Sequence, residues 1–427
     1  MYLTDELQKK WEKVLNHPEL PEVKDTHKRA VLTVLLENQE AEAKKQILTE
    51  AGPANSAAGF PNGNANLKGY DPVLISLIRR ALPNLMAFDI CGVQPLKAPT
   101  GLIFAMKSKY SSQGGDEALF READTAHSGT GTHEAMDPAD PFSATHGTGR
   151  TTATGEKLGG TAQPADGQFA EMAFSIDKVT VTAKTRALKA EYTMELAQDL
   201  RAVHGLDAET ELANILSSEI LAEINREVVR TIYNTAVTGA DNTSVAGTFD
   251  LQRDGDGRWS VERIKGLMLQ IEKEANAIAK QTRRGRGNFI ICDSDTASQL
   301  SVAGLLDIGT NLKDNLNVDD TGNTFVGVLN GRFKVYVDPY APLGANFVVV
   351  GFKGSNQYDA GLFYCPYVPL QMVRAVGQDS FQPKIGFKTR YGMVANPFSN
   401  LNGDSDGSLV ANTNVYYRKI KVTDVGA

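Results

Sequence analysis

The sequence predicts an α+β fold in which one long helix accompanies a mainly antiparallel sheet. Apolar residues recur at helical spacing from about Asp207 to Ala236, which predicts a single helix roughly 40 Å long. Short segments rich in β-branched and aromatic residues follow it, among them NFIICD and NFVVVGF. Within FVGVLNGRFKVYVD, the pair Asn330-Gly331 is typical of the type I′ turn of a β-hairpin. We therefore predict a helical spine beside hairpin-connected strands.

Composition excludes several classes of protein. The 427 residues are 41% hydrophobic and 22% charged, which suits an ordinary soluble protein of two or three domains. No apolar run is long enough to span a bilayer, and MYLTDELQKKWEKV lacks the apolar core of a secretory signal. Cys91, Cys292 and Cys365 lie far apart, so we expect reduced cysteines and no disulfide or metal pair. The net charge of -7 disfavours a protein that mainly grips phosphate backbones.

The first fifty residues differ from the rest of the chain. None of the 39 glycines precedes Gly52. Apolar residues at helical spacing predict a first helix, and a second is expected from about Asp25 through VLTVLLENQEAEAKKQIL. These helices have little apolar surface, so we expect them to bundle with a partner. The stretch AGPANSAAGFPNGNANLKG over residues 51–69 then predicts an exposed, protease-accessible linker.

Beyond the linker the pattern predicts a packed protein. A helix is expected from Asp71, GLIFAMKSKY reads as a strand, and about sixty residues from Ser111 to Gln168 exceed an ordinary connection and should be functional or mobile. Strand pattern returns at MAFSIDKVTVTAK, where Phe174 and Ile176 alternate with polar residues. EYTMELAQDLRAVHG predicts a helix that precedes the spine, and NVYYRKIKVTDV predicts a last strand.

Catalytic motifs are weak. The sequence has no phosphate-binding GxxxxGK[ST] loop and no strand-linked GxGxxG. NGDSDG matches the GxSxG nucleophile motif with Ser405 at its centre, but the last histidine of the chain is His204, so no histidine follows the serine. A polar surface turn is the favoured interpretation.

Candidate metal and nucleic-acid sites are equally weak. QRDGDGRWSVER places Asp254 and Asp256 as in a calcium loop, but Gln252 and Arg263 replace its first and twelfth ligands, which favours a turn before a helix. Three loop histidines form no HExxH motif and are interpreted as solvated: His127, His133 and His146. Three arginines of TRRGRGN could touch phosphate, but a solvated loop is the commoner explanation: Arg283, Arg284 and Arg286. We therefore expect no catalytic residue, no cofactor and no metal, and favour a structural protein.

Several long strings carry a resemblance to a known family. They are GYDPVLISLIRRALPNLMAFDICGVQPLKAPTGLIFAMKSKY, MAFSIDKVTVTAKTRALKAEYTMELAQDLRAVHGLDAE, EINREVV, DGRWSVERIKGLMLQIEKEANAIA, RGRGNFIICDSD and FKTRYGMVANPF. In this order they resemble the major capsid protein family of T-even-type, contractile-tailed bacteriophages over most of residues 69 to 400. The resemblance implies the HK97-like shell fold, which has an N-arm, an E-loop, a P-domain with a long spine helix, and an A-domain.

The resemblance also implies a division of the chain into six segments. They are an N-terminal helical propeptide (1–50), the N-arm and first helix (51–109), the E-loop with a reduced insertion (110–170), the P-domain with the spine helix (171–240), the A-domain (241–380), and C-terminal strands that return to the P-domain (381–427). Family members can carry a folded insertion domain in the E-loop region. About sixty residues with few aromatics are too few for it here, so we expect a reduced or absent insertion.

The function implied is a subunit that assembles into hexamers and forms the icosahedral or prolate head shell around phage DNA. Implied partners are neighbouring capsomers, a scaffold or core protein, a prohead protease, a separate vertex protein that forms pentamers, and decoration proteins. The protease of the family cuts after glutamate in a hydrophobic-x-Glu context. Leu48, Glu50 and Ala51 provide that context, so we expect cleavage between Glu50 and Ala51. The expected location is the virion capsid, after assembly in the host cytoplasm.

Three rival functions stay open at this point. A cellular nanocompartment shell would share the fold without the phage. A metal-dependent soluble hydrolase would use the loop around Asp254 or the three histidines. A nucleic-acid-binding protein would use TRRGRGN, and its DNA binding would depend strongly on salt.

Overall fold

The computed structural model describes residues 2–16, 23, 25–49, 85–119, 122–136, 140, 142–159, 169–255, 257, 259–304, 306–307, 325–356, 358–376, 382–400 and 406–424. The chain forms two compact units. The larger comprises Met1–Leu102, Thr180–Gln281 and Gly285–Ala427, and its residues from Leu85 onward are called the body here. The smaller, called the loop unit, comprises Ile103–Val179 and Thr282–Arg284. The helix expected from Asp71 and the linker at 51–69 lie outside the described residues.

Eight helices occur in the described ranges, and the long ones follow the apolar patterns of the sequence. They are α1 (Tyr2–Leu15), α2 (Thr26–Thr49), α3 (Ala87–Ile90), α4 (Thr152–Gly155), α5 (Met194–Val203), α6 (Ala208–Thr235), α7 (Ser260–Thr282) and α8 (Ser294–Val302). The predicted spine is confirmed as α6, whose 28 residues span about 42 Å at 1.5 Å each. Its stripe is buried from Leu216 through Ile232. Asp207 occupies its N-cap position, as expected.

The described strands form three sheets. They are β1 (Gly92–Val93), β2 (Thr100–Tyr110), β3 (Met172–Thr182), β4 (Lys184–Glu191), β5 (Ala236–Thr238), β6 (Thr248–Asp250), β7 (Phe289–Cys292), β8 (Leu306–Asp307), β9 (Phe325–Leu329), β10 (Phe333–Val337), β11 (Phe347–Gly351), β12 (Leu362–Val376), β13 (Pro383–Ala395) and β14 (Asn414–Thr423). One sheet has the order β1-β12-β13-β4, the largest runs β5-β14-β11-β7-β10-β9-β8 with β6 beside β14, and β2 pairs with β3. Most pairs are antiparallel, which confirms the predicted α+β class.

The hairpin between β9 and β10 confirms a local prediction. Asn330 and Gly331 both have positive φ, at 52° and 67°, as a type I′ turn requires. Phe333 pairs with Leu329 in antiparallel register directly beside the turn. Asn330, Gly331 and Arg332 lie between the paired residues, so a three-residue turn sets the register of β9 with β10.

The last two strands of the chain lie in different sheets. β13 pairs with β12 and β4. β14 lies in the large sheet, where Val349 is opposite Lys419 and Lys421 is opposite Thr248. The division of the chain into six segments, including the return of 381–427 to the P-domain, stays a prediction.

The N-terminal helices pack against the body. Trp11 and Leu15 of α1, together with Val31, Leu32 and Leu35 of α2, are buried in one apolar core with β12 and α3. Both helices therefore pack against other parts of the same chain, and the expected partner stays a prediction. We call α1 and α2 together the N-terminal hairpin.

Candidate assembly surfaces

The first surface is an apolar face of the β2–β3 ribbon in the loop unit. The Ser111 amide donates to the Glu171 carbonyl at 2.9 Å, so the end of β2 meets the start of β3 and the strands are antiparallel. Even-numbered residues of both strands share one face. Five large apolar side chains on this face are between 55% and 66% exposed: Phe104, Met106, Met172, Phe174 and Ile176.

The opposite face of the ribbon is buried. Ile103, Ala105 and Val179 are almost fully covered. Lys107 is buried with them, and its Nζ lies 2.7 Å from Asp177 Oδ2, so its charge is paired within the face. The inner face of the ribbon is therefore buried, with its charge paired, and the outer face is apolar and exposed. A sheet that stays in water normally exposes polar side chains instead.

The predicted strand is confirmed as β3, and the structure shows a change of face within it. Phe174 and Ile176, and then Val179 and Val181, alternate with polar residues. The apolar positions change from even to odd numbers between Ile176 and Val179, and side chains alternate across a strand. The two pairs must therefore point to opposite faces, and only the odd-numbered pair is buried.

The second surface is α5 in the body. The helix is capped by the Thr193 hydroxyl, which accepts from the Leu196 amide at 3.3 Å, and none of its residues is buried. Leu196, Leu200 and Val203 follow at helical spacing, and Leu196 and Val203 are exposed. Leu206, also exposed, comes directly after a left-handed Gly205 that ends the helix. An amphipathic helix with an uncovered apolar stripe is typical of a contact surface.

Charged contacts fix α6 to both neighbouring sheets. Arg186 of β4 contacts Glu223 at 2.9 Å and also Glu227, and the Tyr391 hydroxyl of β13 donates to the same Glu227. Burial raises the pKa of Tyr391, and the neighbouring Glu227 carboxylate raises it further. The hydroxyl group therefore stays protonated and donates.

On the side of the large sheet, Arg226 donates to both carboxylate oxygens of Asp338, at 2.7 and 2.6 Å. The Tyr233 hydroxyl donates to Asp338 at 3.0 Å. These paired charges hold the spine rigidly between two sheets and are all satisfied within the chain, so they form no reactive site.

Polar contacts join α1 to α2. Lys10 Nζ lies 2.8 Å from Glu37 and 2.5 Å from Glu40, and the indole of Trp11 donates to Glu37 at 3.2 Å. The hydrogen bonds to Glu37 and Glu40 raise the pKa of Lys10 despite the opposing effect of burial. The two helices are thereby held together across the loop that connects them.

A second set of contacts joins the hairpin to the body. The side-chain amide of Asn38 donates to the Leu96 carbonyl at 2.8 Å and to the Tyr367 carbonyl at 2.9 Å. Lys28 Nζ lies 3.0 Å from Asp89 Oδ1 and above the ring of Phe88. Both ends of the buried part of α2 are therefore anchored by polar groups.

His27 of α2 lies near Lys353 of the body. Burial lowers the pKa of His27, the Asp25 carboxylate opposes this shift, and the charges of Lys353 and of Lys28 in α2 itself reinforce it. Burial also lowers the pKa of Lys353, whose ammonium group donates to the Phe88 carbonyl beneath α2. The contact between hairpin and body therefore favours a neutral His27.

The residues singled out in the sequence do not form a common site. Of the predicted cleavage site, Glu50 and Ala51 lie outside the described residues, and Leu48 falls in the last turn of α2. Ser405 and Asp256 also lie outside them. Asp254 accepts hydrogen bonds from the Ser244 hydroxyl and amide and from the Asp250 amide. Its carboxylate is therefore used to hold the loop between residues 244 and 254 together.

The histidines and arginines are likewise used locally. His133 pairs with the Thr125 hydroxyl at 3.1 Å and His127 with the Glu171 carbonyl at 3.0 Å. Arg286 lies 2.6 Å from Glu272, which also contacts Arg332. Within the described ranges, no three His, Cys, Asp or Glu side chains are grouped so as to hold a metal ion. No helix of the described part of the chain is long and apolar enough to cross a membrane.

Comparison with known proteins assigns the chain to a family. The family model for the major capsid protein Gp23 matches residues 67–422. The chain belongs to the Gp23 major capsid protein family. The major capsid protein of Salmonella phage ViI is 37% identical over 98% of this chain and 97% of its own length. The capsid vertex protein of Enterobacteria phage T4 is 26% identical over 58% of each chain.

Membership of the Gp23 family confirms the main conclusions drawn from the sequence. The chain is a major capsid protein of tailed phages, forms the head shell and is located in the virion capsid. The elements occur in the order expected of the HK97-like fold, with the β2–β3 ribbon before the spine and the large sheet after it. The capsid of the myovirus XM1 covers 79% of this chain at 10% identity and a TM-score of 0.40, so the assignment rests on the sequence comparisons.

Proposed function

We propose that this capsid protein assembles into hexamers whose copies contact one another through the two exposed apolar surfaces, and that the shell encloses phage DNA. The observation that carries the proposal is the outer face of the ribbon, where five large apolar side chains face solvent. A face of this kind is costly for a soluble monomer and is covered in the assembled state. The apolar stripe of α5 supports a second contact of the same type.

The ribbon is a suitable element for such a contact. Complete burial of one aromatic or large aliphatic side chain contributes about 1.5–3 kcal/mol. The five side chains of one ribbon are already partly covered, so one ribbon per subunit supplies a limited free energy of association. A closed symmetric shell repeats the contact many times, and the modest contribution is multiplied. The net charge of -7 supports a container that holds DNA without gripping it.

Assembly of variants in the presence of the phage partners tests this proposal. Phe174→Asp places a charge in the centre of the apolar face, and we expect the chain to fold but to form few or no shells in electron micrographs. Lys178→Asp is the matched control, because it adds the same acidic group to the same strand face without removing an apolar contact. Normal shells from Phe174→Asp would contradict the proposed role of the ribbon.

We propose further that maturation removes the N-terminal segment by cleavage between Glu50 and Ala51. The support is the sequence context Leu48-Thr49-Glu50, followed by small residues. Mass spectrometry of mature particles tests the site: a subunit that begins at Ala51 is expected. Particles whose subunits still begin at Met1 would rule it out.

The remaining partners are also proposals. The likeness to a capsid vertex protein supports a shell in which a separate, related protein forms the pentamers. A scaffold or core protein, a prohead protease and decoration proteins are expected to act on the same shell. We propose no enzymatic activity, because the charged clusters described above are paired within the fold. Turnover of a small molecule by purified, unassembled subunits would contradict that assignment.

A further inference from the structure

The surface of the body that α2 covers combines an apolar region with polar groups at both ends, as a binding site does. Six consecutive residues, Val31 to Leu36, are buried, so α2 is covered by α1 on one side and by the body on the other. Polar anchors lie at both ends of this buried run. Lys28 and Asn38 are ten residues apart, which places the anchors about 15 Å apart along the helix.

The Asn38 anchor occupies a defined place in the sheet. β1 is short, and its ladder with β12 continues only to the bond from the Leu96 amide to the Pro366 carbonyl, at 2.9 Å. Asn38 donates to the carbonyls of Leu96 and of Tyr367, the two acceptors next to that last bond. Both acceptors are carbonyls, so only the NH₂ group of the amide can serve them. The Asn38 side chain therefore takes over the hydrogen bonding at the edge of the sheet, directly beyond the end of the β1–β12 ladder.

The second anchor depends on charge. Asp89 of α3 accepts from Lys28, and the Lys28 ammonium group also lies 5.9 Å from the centre of the Phe88 ring. Helix α2 presents a cation and an amide ten residues apart, on either side of an apolar run, and so matches this surface in both shape and charge.

We infer that the surface formed by Phe88, Asp89, Leu96 and Tyr367 is a docking site for the N-terminal hairpin, which stays bound after the chain is cut, whether at the Glu50–Ala51 bond or at an introduced site between residues 51 and 69. The inference deepens the proposed removal of the N-terminal segment and rests on it for its biological role. Cleavage of the linker and loss of the hairpin are then two separate steps. The cut hairpin is a ligand of the trimmed subunit, and the ligand class is an amphipathic helical hairpin.

The physical reason is that none of these contacts uses the linker. A tether contributes only an effective concentration, of the order of millimolar for a short flexible connection. Cutting it removes that contribution but leaves the buried apolar side chains, the two amide hydrogen bonds and the ion pair intact. The contact is therefore expected to persist at micromolar protein concentration.

The test uses the full-length protein before assembly, with the recognition sequence of a site-specific protease inserted between residues 51 and 69. After complete cutting, gel filtration and native mass spectrometry at about 10 μM are expected to show the hairpin and the trimmed chain as a 1:1 complex. Asn38→Ala should weaken retention about 10-fold or more, because it removes two hydrogen bonds. Alanine is the better helix former, so such a loss would not reflect an unfolded α2.

Glu12→Ala on the exposed side of α1 is the matched control and should retain the hairpin as the wild type does. Co-expression of residues 1–50 and 51–427 as two chains gives a second, independent measurement of the same complex. Immediate loss of the wild-type hairpin on cutting, or equal retention by Asn38→Ala and Glu12→Ala, would overturn the inference. Because the assay uses unassembled protein, failure of shell formation or of cleavage in virions would not alter its outcome.

Discussion

Removal of the Glu274 carboxylate is expected to destabilise the body severely. Glu274 lies in α7 and is almost fully buried, and it accepts from the Ala240 amide, the Gln270 side chain and Arg418 of β14, each at 2.8 Å. Three donors from three parts of the chain converge on one carboxylate. Glu274→Ala would leave all of them without this acceptor, including the buried guanidinium group of Arg418.

The magnitude follows from the burial of the pair. The side chains of Glu274 and Arg418 are only 4% and 8% exposed, so water cannot replace the lost partner. The other carboxylate near Arg418 is that of Asp241, at 3.7 Å, and its side chain is 66% exposed and makes a weak substitute. Leaving one member of a buried pair uncompensated costs about 3–5 kcal/mol. Replacement of both members by apolar residues, as in Glu274→Leu with Arg418→Met, should recover the part of that loss that comes from the uncompensated charge, while the Ala240 amide and the Gln270 side chain still lack an acceptor.

Urea denaturation of the unassembled protein, followed by circular dichroism, measures both effects as changes in the free energy of unfolding. Lys189→Ala is the control, since Lys189 is exposed and its pair with Glu191 is screened by solvent, so the free energy of unfolding is expected to change little. A loss below about 1 kcal/mol for Glu274→Ala would refute the reasoning. So would a double variant that is as unstable as the single one.

Three further predictions follow from burial, protonation and backbone geometry. Burial raises the pKa of each thiol to about 12, so the folded protein should not react with a thiol reagent at about pH 8, whereas the denatured chain should react at Cys91, Cys292 and Cys365. Because the pKa of His27 is lowered in the docked state, retention of the cut hairpin should be full above about pH 6.5 and weaken as the pH falls, and His27→Gln should reduce this dependence. Gly331→Ala should cost about 1 kcal/mol in urea denaturation, since φ is 67° with no atom near the added methyl, whereas Gly149→Ala should cost almost nothing.

The sequence predicts those parts of the fold that depend on local pattern. The stripe of α6 and the Asn330-Gly331 turn are confirmed because a helical period and a positive-φ dipeptide act over a few residues. The placement of β14 depends on pairing with β11, about seventy residues earlier, which no local pattern encodes. The exposed face of the ribbon was missed for a related reason: alternation shows that two faces differ, but not which of them is covered.

The docking of the hairpin shows the same limit. The sequence predicts α1, α2 and their need for a partner, but not that α2 packs against the body of the same chain. The acceptors of Asn38 lie 58 and 329 residues away, and an isolated asparagine in a mostly charged stretch gives no signal of them. The sequence marks only the position of the contact on α2 and not its acceptors: the run from Val31 to Leu36 is apolar almost throughout, and Asn38 follows it at the point where the charged stretch begins.

The position of each polar contact determines whether the chain tolerates its loss. The carbonyls that Asn38 serves lie at the edge of a sheet, so water can hydrate them once the hairpin leaves. The donors around Glu274 lie inside the body, where no water could take the place of the carboxylate. The proposed removal of the first fifty residues requires replaceable contacts beneath those residues and irreplaceable ones within the body that remains. The arrangement of Asn38 and Glu274 meets both requirements.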